Sequence, residues 1–427
     1  MHIKRALIVA AVFLVSMTQM ASGRTVEQLA DQAASEDYAS AMSAIRELRA
    51  MGSTGLDALF VRYSAEIEKY GRTGDADENW KRISTAIDTV AMQKDAYASH
   101  LYWYTDIEEA KRAAKVKNKP ILTLRLLGYL NEEFSCANSR LFRAVLYPNA
   151  EISQYLRDNY ILHWKSVRPA PRITIDFGDG RKIERTITGN SIHYILSPNG
   201  TVIDALPGLY SPTAFLKYLT QANEMNGVLK GLPNEKHQVA LMKYRKMSFE
   251  QIMEKRKRVI EKAGIQLTET PSGTLAILAA PVAAAKMVVV DEYSILRLYD
   301  DFAKFEPGIK FDDWDRIAKL YSPNLKVDAN SVAFIGRQNA KMGLTPDEFN
   351  GMFAKLEKFI ALDTTRNDFL FHTKLYEWMN QGRGTGDLEV FNGNVYAQIF
   401  QTPNHDKWLG LYSNDVYTAL DGNGIIK

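Results

Sequence analysis

"KNKPILTLRLLGYLNEEFSCANSRLF", residues 117–142, changes backbone grammar three times within one short stretch. Asn118-Lys119-Pro120 closes a helix, because proline has no N–H to donate and its ring restricts the residue before it. "ILTLRLL" (121–127) is apolar almost throughout and short, which predicts a strand buried on both faces. A loop through Gly128 and the mainly polar residues 131–135 follows, and then Cys136 opens a helix over "SRLFRAVL". Cys136 is the only cysteine in 427 residues. The chain therefore has no internal disulfide and no cysteine-based zinc site, and its stability has to come from its core.

The flanks continue the alternation. Thr105 with Glu108 reads as a capping box opening a helix whose inner face is small (Ala110, Ala113, Ala114). A break at Pro148-Asn149 precedes a helix with Ile152, Tyr155 and Leu156 on one face, and "YILHWKSV" is the second strand. "RITIDF" and "RKIERTIT" flank Gly-Asp-Gly, a hairpin signal. "SIHYILS", the turn "PNG" and "TVIDAL" form another hairpin, and Ser211 with Pro212 starts a last helix. Together these elements predict a compact α/β sandwich over residues 100–226.

A helix ended by Lys-Pro, an apolar strand, a short loop and a helix-opening cysteine, then a strand-turn-strand-helix ending, resembles the thioredoxin-like fold. The likeness is particularly to its exported members. The resemblance covers residues 100–226, less than a third of the chain, and departs from the family twice. Cys136-Ala137-Asn138-Ser139 puts Ser139 where the second cysteine of Cys-x-x-Cys stands, so intramolecular dithiol exchange is excluded. The place of the family's cis-proline falls on Ser191 in "TGNSIHY", which with Asn190 marks the backbone ledge for a substrate. The resemblance also implies a thiol at a helix N-terminus, where unpaired N–H groups and the helix dipole favour thiolate. Arg140, and Arg143 one turn on, add to that field, whereas Glu132 and Glu133 oppose it. Ser139 is expected to donate to the thiolate. His193 shares a strand face with Ser191 and is a candidate base, against the plain alternative of a packed core histidine.

Two functions stay open on these residues. One is monothiol disulfide exchange, or reaction with an oxidant, by a thioredoxin-like oxidoreductase with Cys136, Ser139, Arg140 and His193 as its machinery. The other is a redox-inactive thioredoxin-fold module of the cell envelope, for which the helical flanks supply the partner surface. Neither requires a cofactor, and the expected partner is an exported protein or thiol substrate.

The rest of the chain bounds these readings. "MHIKR", the apolar "ALIVAAVFLVSM" and small residues Ala21 and Gly23 read as a cleavable export signal over 1–23, which places the mature protein in the periplasm or outside the cell. Residues 24–99 read as helical, with "DYASAMSAIRELRAMG" and "LDALFVRYSAEIEKYG" closing at Gly52 and Gly71 and a third helix through Trp80. Residues 227–427 read as a mainly helical C-terminal domain, with capping boxes at Ser248/Gln251 and Thr345/Glu348 and an ordered aromatic tail. A formal charge of +3 gives no electrostatic case for nucleic acid or an anionic membrane. The fold class is thus an α/β thioredoxin-like sandwich between an all-α N-terminal and a mainly α C-terminal region. His163, in the second strand, carries the same two readings as His193, a base or a packed core histidine. His372, His405 and Asp406 lack the close spacing of a metal site. "KRKR" (255–258) reads as the wet face of a helix, and "GRGTGD" (382–387) lacks the strand and Lys-Ser/Thr of a phosphate loop.

Overall fold

The computed structural model describes residues 23–186, 190–265, 311–323, 325–384 and 386–400, with three further residues in the tail. The export-signal reading of residues 1–22, the tail from 401 and the pair His405/Asp406 fall outside the described residues. The chain divides into two compact units, Met1–Ala91 and Met92–Lys427.

The described part of the first unit is helical throughout: α1 (Val26–Ala33), α2 (Tyr38–Ala50), α3 (Ser53–Arg62), α4 (Ser64–Thr73) and α5 (Glu78–Ala91). Each of the first two starts on a side-chain cap. Thr25 and Gln28 form a reciprocal capping box, and Asp37 accepts from the Ser40 N–H. Leu29, Ile45, Leu48, Leu56, Leu59, Ile83 and Ile87 fill the interior. Gly55 fixes how closely α3 approaches α2, since a Cβ there would fall 2.0 Å from the Leu48 carbonyl oxygen. The second predicted helix is in fact two. Tyr63 leaves helical geometry and its hydroxyl donates to the Ala30 carbonyl of α1, so α3 and α4 separate there. Gly71 consequently lies inside α4, and the left-handed Gly74 ends it.

The second unit is built on a five-stranded mixed sheet of order β1-β3-β2-β6-β7, from β1 (Trp103–Tyr104), β2 (Ile121–Leu127), β3 (Ile161–Arg168), β6 (Ile192–Leu196) and β7 (Val202–Pro207). β1, β3 and β2 run parallel; β6 and β7 are antiparallel to their neighbours. Every residue of β2, β6 and β7 is buried, as expected where helices cover both faces. The Gly-Asp-Gly hairpin, β4 (Arg172–Asp176) with β5 (Lys182–Thr186), is a separate two-stranded sheet between β3 and β6.

The covering helices are α6 (Ile107–Lys117), the short α7 (Ala137–Leu141), α8 (Ala150–Asn159), α9 (Pro212–Lys230) and α10 (Asn234–Ala263). After the undescribed segment come α11 (Phe311–Tyr321), α12 (Ala329–Gln338), α13 (Pro346–Arg366), α14 (Thr373–Asn380) and α15 (Leu388–Asn394). Two expected caps move. Asp106, not Thr105, caps α6 by accepting from the Glu109 N–H. Ser248 caps nothing, because α10 runs unbroken for 30 residues and holds Ser248 in its interior. The Thr345/Glu348 box forms as expected, as does the Ser211-Pro212 start of α9.

Three π-helical turns, Phe142–Leu146, Asn367–His372 and Val395–Ile399, follow α7, α13 and α15 directly. Each loosens the helix to i→i+5 pairing, and the second and third carry His372 and Tyr396, which reach Asp204 of β7 and the Asn190 carbonyl. The free edge of β7 is covered as well: the Arg245 guanidinium of α10 donates to the Val202 and Ile203 carbonyls. Among the described residues no helix is long and apolar enough to cross a membrane.

Candidate functional site

The cysteine is placed by the end of the central strand. Gly128, at φ 73°, turns the chain out of β2, and Ser135 returns so closely that a Cβ at Gly128 would lie 3.0 Å from its Cα. The Cys136 N–H then donates to the Leu127 carbonyl at 3.0 Å, which ties both ends of the loop together. Cys136 has extended backbone and stands as the N-cap of α7.

Its thiol is 0 % exposed. Sγ lies 2.8 Å from the Ser191 Oγ, 3.3 Å from the Ser139 Oγ and 3.8 Å from the Asn190 carbonyl oxygen. Ser139 donates its own proton to the Cys136 carbonyl at 2.8 Å, so toward sulfur it can only accept. One consistent set is Ser191 donating to sulfur, sulfur donating to Ser139, and Ser139 donating to the backbone; the Asn190 carbonyl is a second acceptor for the S–H. The S–H proton thus has an oxygen acceptor in place, the reverse of the Ser139-to-thiolate bond expected from the motif.

The structure brings Cys136, Ser139, Asn190 and Ser191 together and leaves the other two expected residues apart. Arg140 turns away from sulfur to the Ser135 carbonyl (3.2 Å) and the Thr186 hydroxyl (3.0 Å). Arg143, on the π turn, donates to the Glu133 carbonyl and the Ser135 hydroxyl and faces Asp95 at 3.9 Å. Glu132 and Glu133 are exposed. His193 pairs through Nε2 with the Tyr147 hydroxyl at 2.8 Å and lies among Phe142 and Phe215, while its Nδ1 has no partner among the described residues. Burial pushes its pKa down to about 3, which keeps it neutral. It is a packed core histidine rather than a base for the thiol. His163 is similar: Nδ1 is 2.6 Å from the Thr123 hydroxyl, and burial, with Arg125 and Lys165 adding to it, lowers its pKa to about 3.

Asn190 and Ser191, expected as a substrate ledge, are themselves covered. Tyr396, on the last π turn, donates its hydroxyl to the Asn190 carbonyl at 3.1 Å and is fully buried. Two more contacts hold that segment down. Tyr194 of β6 donates to the Asn392 Oδ1 at 3.1 Å, and the buried Arg125 of β2 meets the Glu389 carboxylate at 2.7 Å. These partners lie some 200 residues or more beyond the strands they touch, and no local spacing announces them.

A second polar cluster has no counterpart in the sequence reading. His372 reaches the Asp204 carboxylate of β7 through Nε2 at 2.9 Å and the Asp368 carboxylate through Nδ1 at 3.5 Å. Tyr244 (2.7 Å) and Tyr376 (3.1 Å) donate to the other Asp204 oxygen, and Tyr218 (2.8 Å) and Tyr321 (2.6 Å) donate to Asp368. Burial alone pulls the His372 pKa down, but the two carboxylates outweigh it and raise it to about 9, so the ring is an imidazolium. No group of metal-ligating side chains occurs among the described residues. Set against protein-family models, curated proteins and solved structures, the chain matches none of them.

Proposed function

We propose that the chain is an exported thioredoxin-like protein that acts by binding a partner in the cell envelope, with its thiol site closed by its own C-terminal helices. The fold part of this reading is supported by the strand order, with three parallel strands followed by two antiparallel ones, and by a helix opening at Cys136 after the loop that leaves the central strand. The β4–β5 hairpin is then an insertion in that plan. Export is supported by the basic, apolar and small-residue pattern of residues 1–23.

The binding part is carried by one observation: the Cys136 sulfur is fully buried, between Ser139 and Ser191, beneath the segment that holds Tyr396. Disulfide exchange needs a thiolate that reaches a partner sulfur in line, and here the approach is filled by protein. What is left for a partner is the helical surface, which makes up most of the chain.

Affinity capture from a periplasmic extract with the full chain and with Cys136→Ser tests this. The expected outcome is one partner set for both baits, eluting identically with and without reductant. A partner held only by the wild-type chain and released by reductant would establish monothiol exchange instead.

A further inference from the structure

Away from Cys136, a cleft of about 380 Å³ opens where the start of α9, the C-terminal half of α10 and the end of α11 meet. Its floor is the Asp368 carboxylate, already hydrogen-bonded. Both oxygens of Asp368 already accept from the Tyr218 and Tyr321 hydroxyls, and His372 stands behind them.

Its walls carry cations of a different kind from those elsewhere on these helices. Lys246 and Lys257 of α10 pair with Glu250 and Glu261 one turn on, and Lys326 at the rim is held 2.8 Å from Glu357. Lys255 and Lys217 have no carboxylate within ion-pair distance among the described residues. The Lys255 ammonium instead sits 3.4 Å above the Tyr321 ring, and Lys217 5.5 Å from the Tyr218 ring. The "KRKR" run is therefore not one solvated face: Lys255 and Arg256 turn inward over aromatic rings, and Lys257 and Arg258 stay exposed. Burial pulls the Lys255 pKa down, the Asp368 carboxylate offsets part of that, and an anion in the cleft would offset more.

The same cleft is lined by Ser211 and Thr213 at the start of the 19-residue α9. Ser211 is locked, donating its N–H to the Thr364 hydroxyl and accepting from the Ala214 N–H. The exposed Thr213 keeps its hydroxyl and its first-turn N–H directed to no protein acceptor among the described residues.

We propose that this cleft binds a phosphate monoester, its dianion held between Lys217 and Lys255 and completed by Thr213. Two separated ammonium groups spread positive charge over a tetrahedral oxyanion, whereas a planar carboxylate is matched best by the arginine fork that the cleft lacks. The helix start adds a favourable field and a backbone donor to the two lysines. The volume suits a small metabolite, near the lower end of the roughly 300–1,000 Å³ typical of ligand pockets. The site shares no residue with the Cys136 surroundings, so it stands or falls separately from the binding reading above.

Calorimetric titration of the full chain with inorganic phosphate, against acetate and chloride at equal ionic strength, tests the assignment. Phosphate is expected to give a saturable isotherm, and acetate and chloride none. Lys217→Gln and Lys255→Gln should each weaken phosphate about tenfold, as loss of a charge-assisted bond does. Lys326→Gln, whose ammonium is already committed to Glu357, should bind like wild type. Lys217 is exposed, so its variant separates lost binding from lost folding. The absence of a saturable phosphate signal, acetate binding as tightly as phosphate, or wild-type affinity in both Lys217→Gln and Lys255→Gln would overturn it.

Discussion

His193 and His372 sit in the same α/β unit, both 0 % exposed, yet one is neutral and the other cationic. His193 faces one tyrosine hydroxyl among aromatic rings, so desolvation alone acts and the ring stays neutral. His372 suffers the same desolvation, but Asp204 and Asp368 lie on its two nitrogens and keep it protonated. Burial by itself keeps a histidine neutral, and carboxylates brought to its nitrogens reverse that. The contrast extends to the surroundings. Around the thiol, where the sequence suggests a reactive nucleophile, the groups are neutral hydroxyls and carbonyls that satisfy it. The buried charge lies instead at β7 and the C-terminal helices, against the cleft that Lys217 and Lys255 line.

Asp204→Ala is the harshest way to probe this contrast. It strips His372 of its closest counter-charge and leaves the Tyr244 and Tyr376 hydroxyls without their acceptor. Breaking a buried pair from one side costs about 3–5 kcal/mol, and urea unfolding of the variant should show a loss of that size. A loss below about 1 kcal/mol would mean that the cluster carries no net charge to compensate.

The next effect is the pH dependence of stability, whose sign differs between the two histidines. The His372 pKa is raised from 6.5 to about 9, so the folded state holds its proton more tightly than the unfolded chain. Its contribution, on the order of 3 kcal/mol, is complete below pH 6.5 and declines as pH rises toward 9. His193 and His163, lowered to about 3, act in the other direction: stability falls as pH drops from 6.5 toward 3, because the unfolded chain takes up protons they refuse. Denaturation midpoints from pH 4 to 10 should show both limbs, and His372→Asn should flatten only the alkaline one.

Smaller effects sharpen the closed-site side of the comparison. Tyr396→Phe removes the hydroxyl from the Asn190 carbonyl and should cost about 1 kcal/mol in unfolding free energy. Tyr396→Ala removes the ring as well and should speed labelling of Cys136. Least of all, Lys165→Ala should change stability by no more than about 0.5 kcal/mol. That ion pair with Glu389 is half-exposed on both sides, unlike the buried Arg125 on the same carboxylate.

What was legible in the sequence was local. Gly-Asp-Gly announced the β4–β5 hairpin, "PNG" the β6–β7 turn, Ser211-Pro212 the start of α9, and Pro120 with "ILTLRLL" the central strand, because turns, caps and buried strands are written in adjacent residues. Even the meeting of Cys136 with Ser191 was anticipated, although that rested on the thioredoxin resemblance and not on spacing. Local signals also misled where tertiary contacts overrode them. Tyr63 split a helix by reaching α1, and Ser248 looked like a cap inside what proved a continuous α10. The closure by Tyr396 and the Asp204–His372–Asp368 cluster join residues far apart in the chain, so no window of sequence holds them together. The π turns that aim Asp368, His372 and Tyr396 leave no mark in hydrophobic periodicity either.

Closure of the thiol site is tested most directly by iodoacetamide labelling of Cys136 in the native chain, across pH, beside a denatured control. Closure predicts that the native protein resists labelling, reacts no faster than it unfolds, and reaches the control rate only in denaturant. Rapid native labelling, with a midpoint well below the free-thiol value of about 8.5, would contradict it and return Cys136 to the role of a working nucleophile.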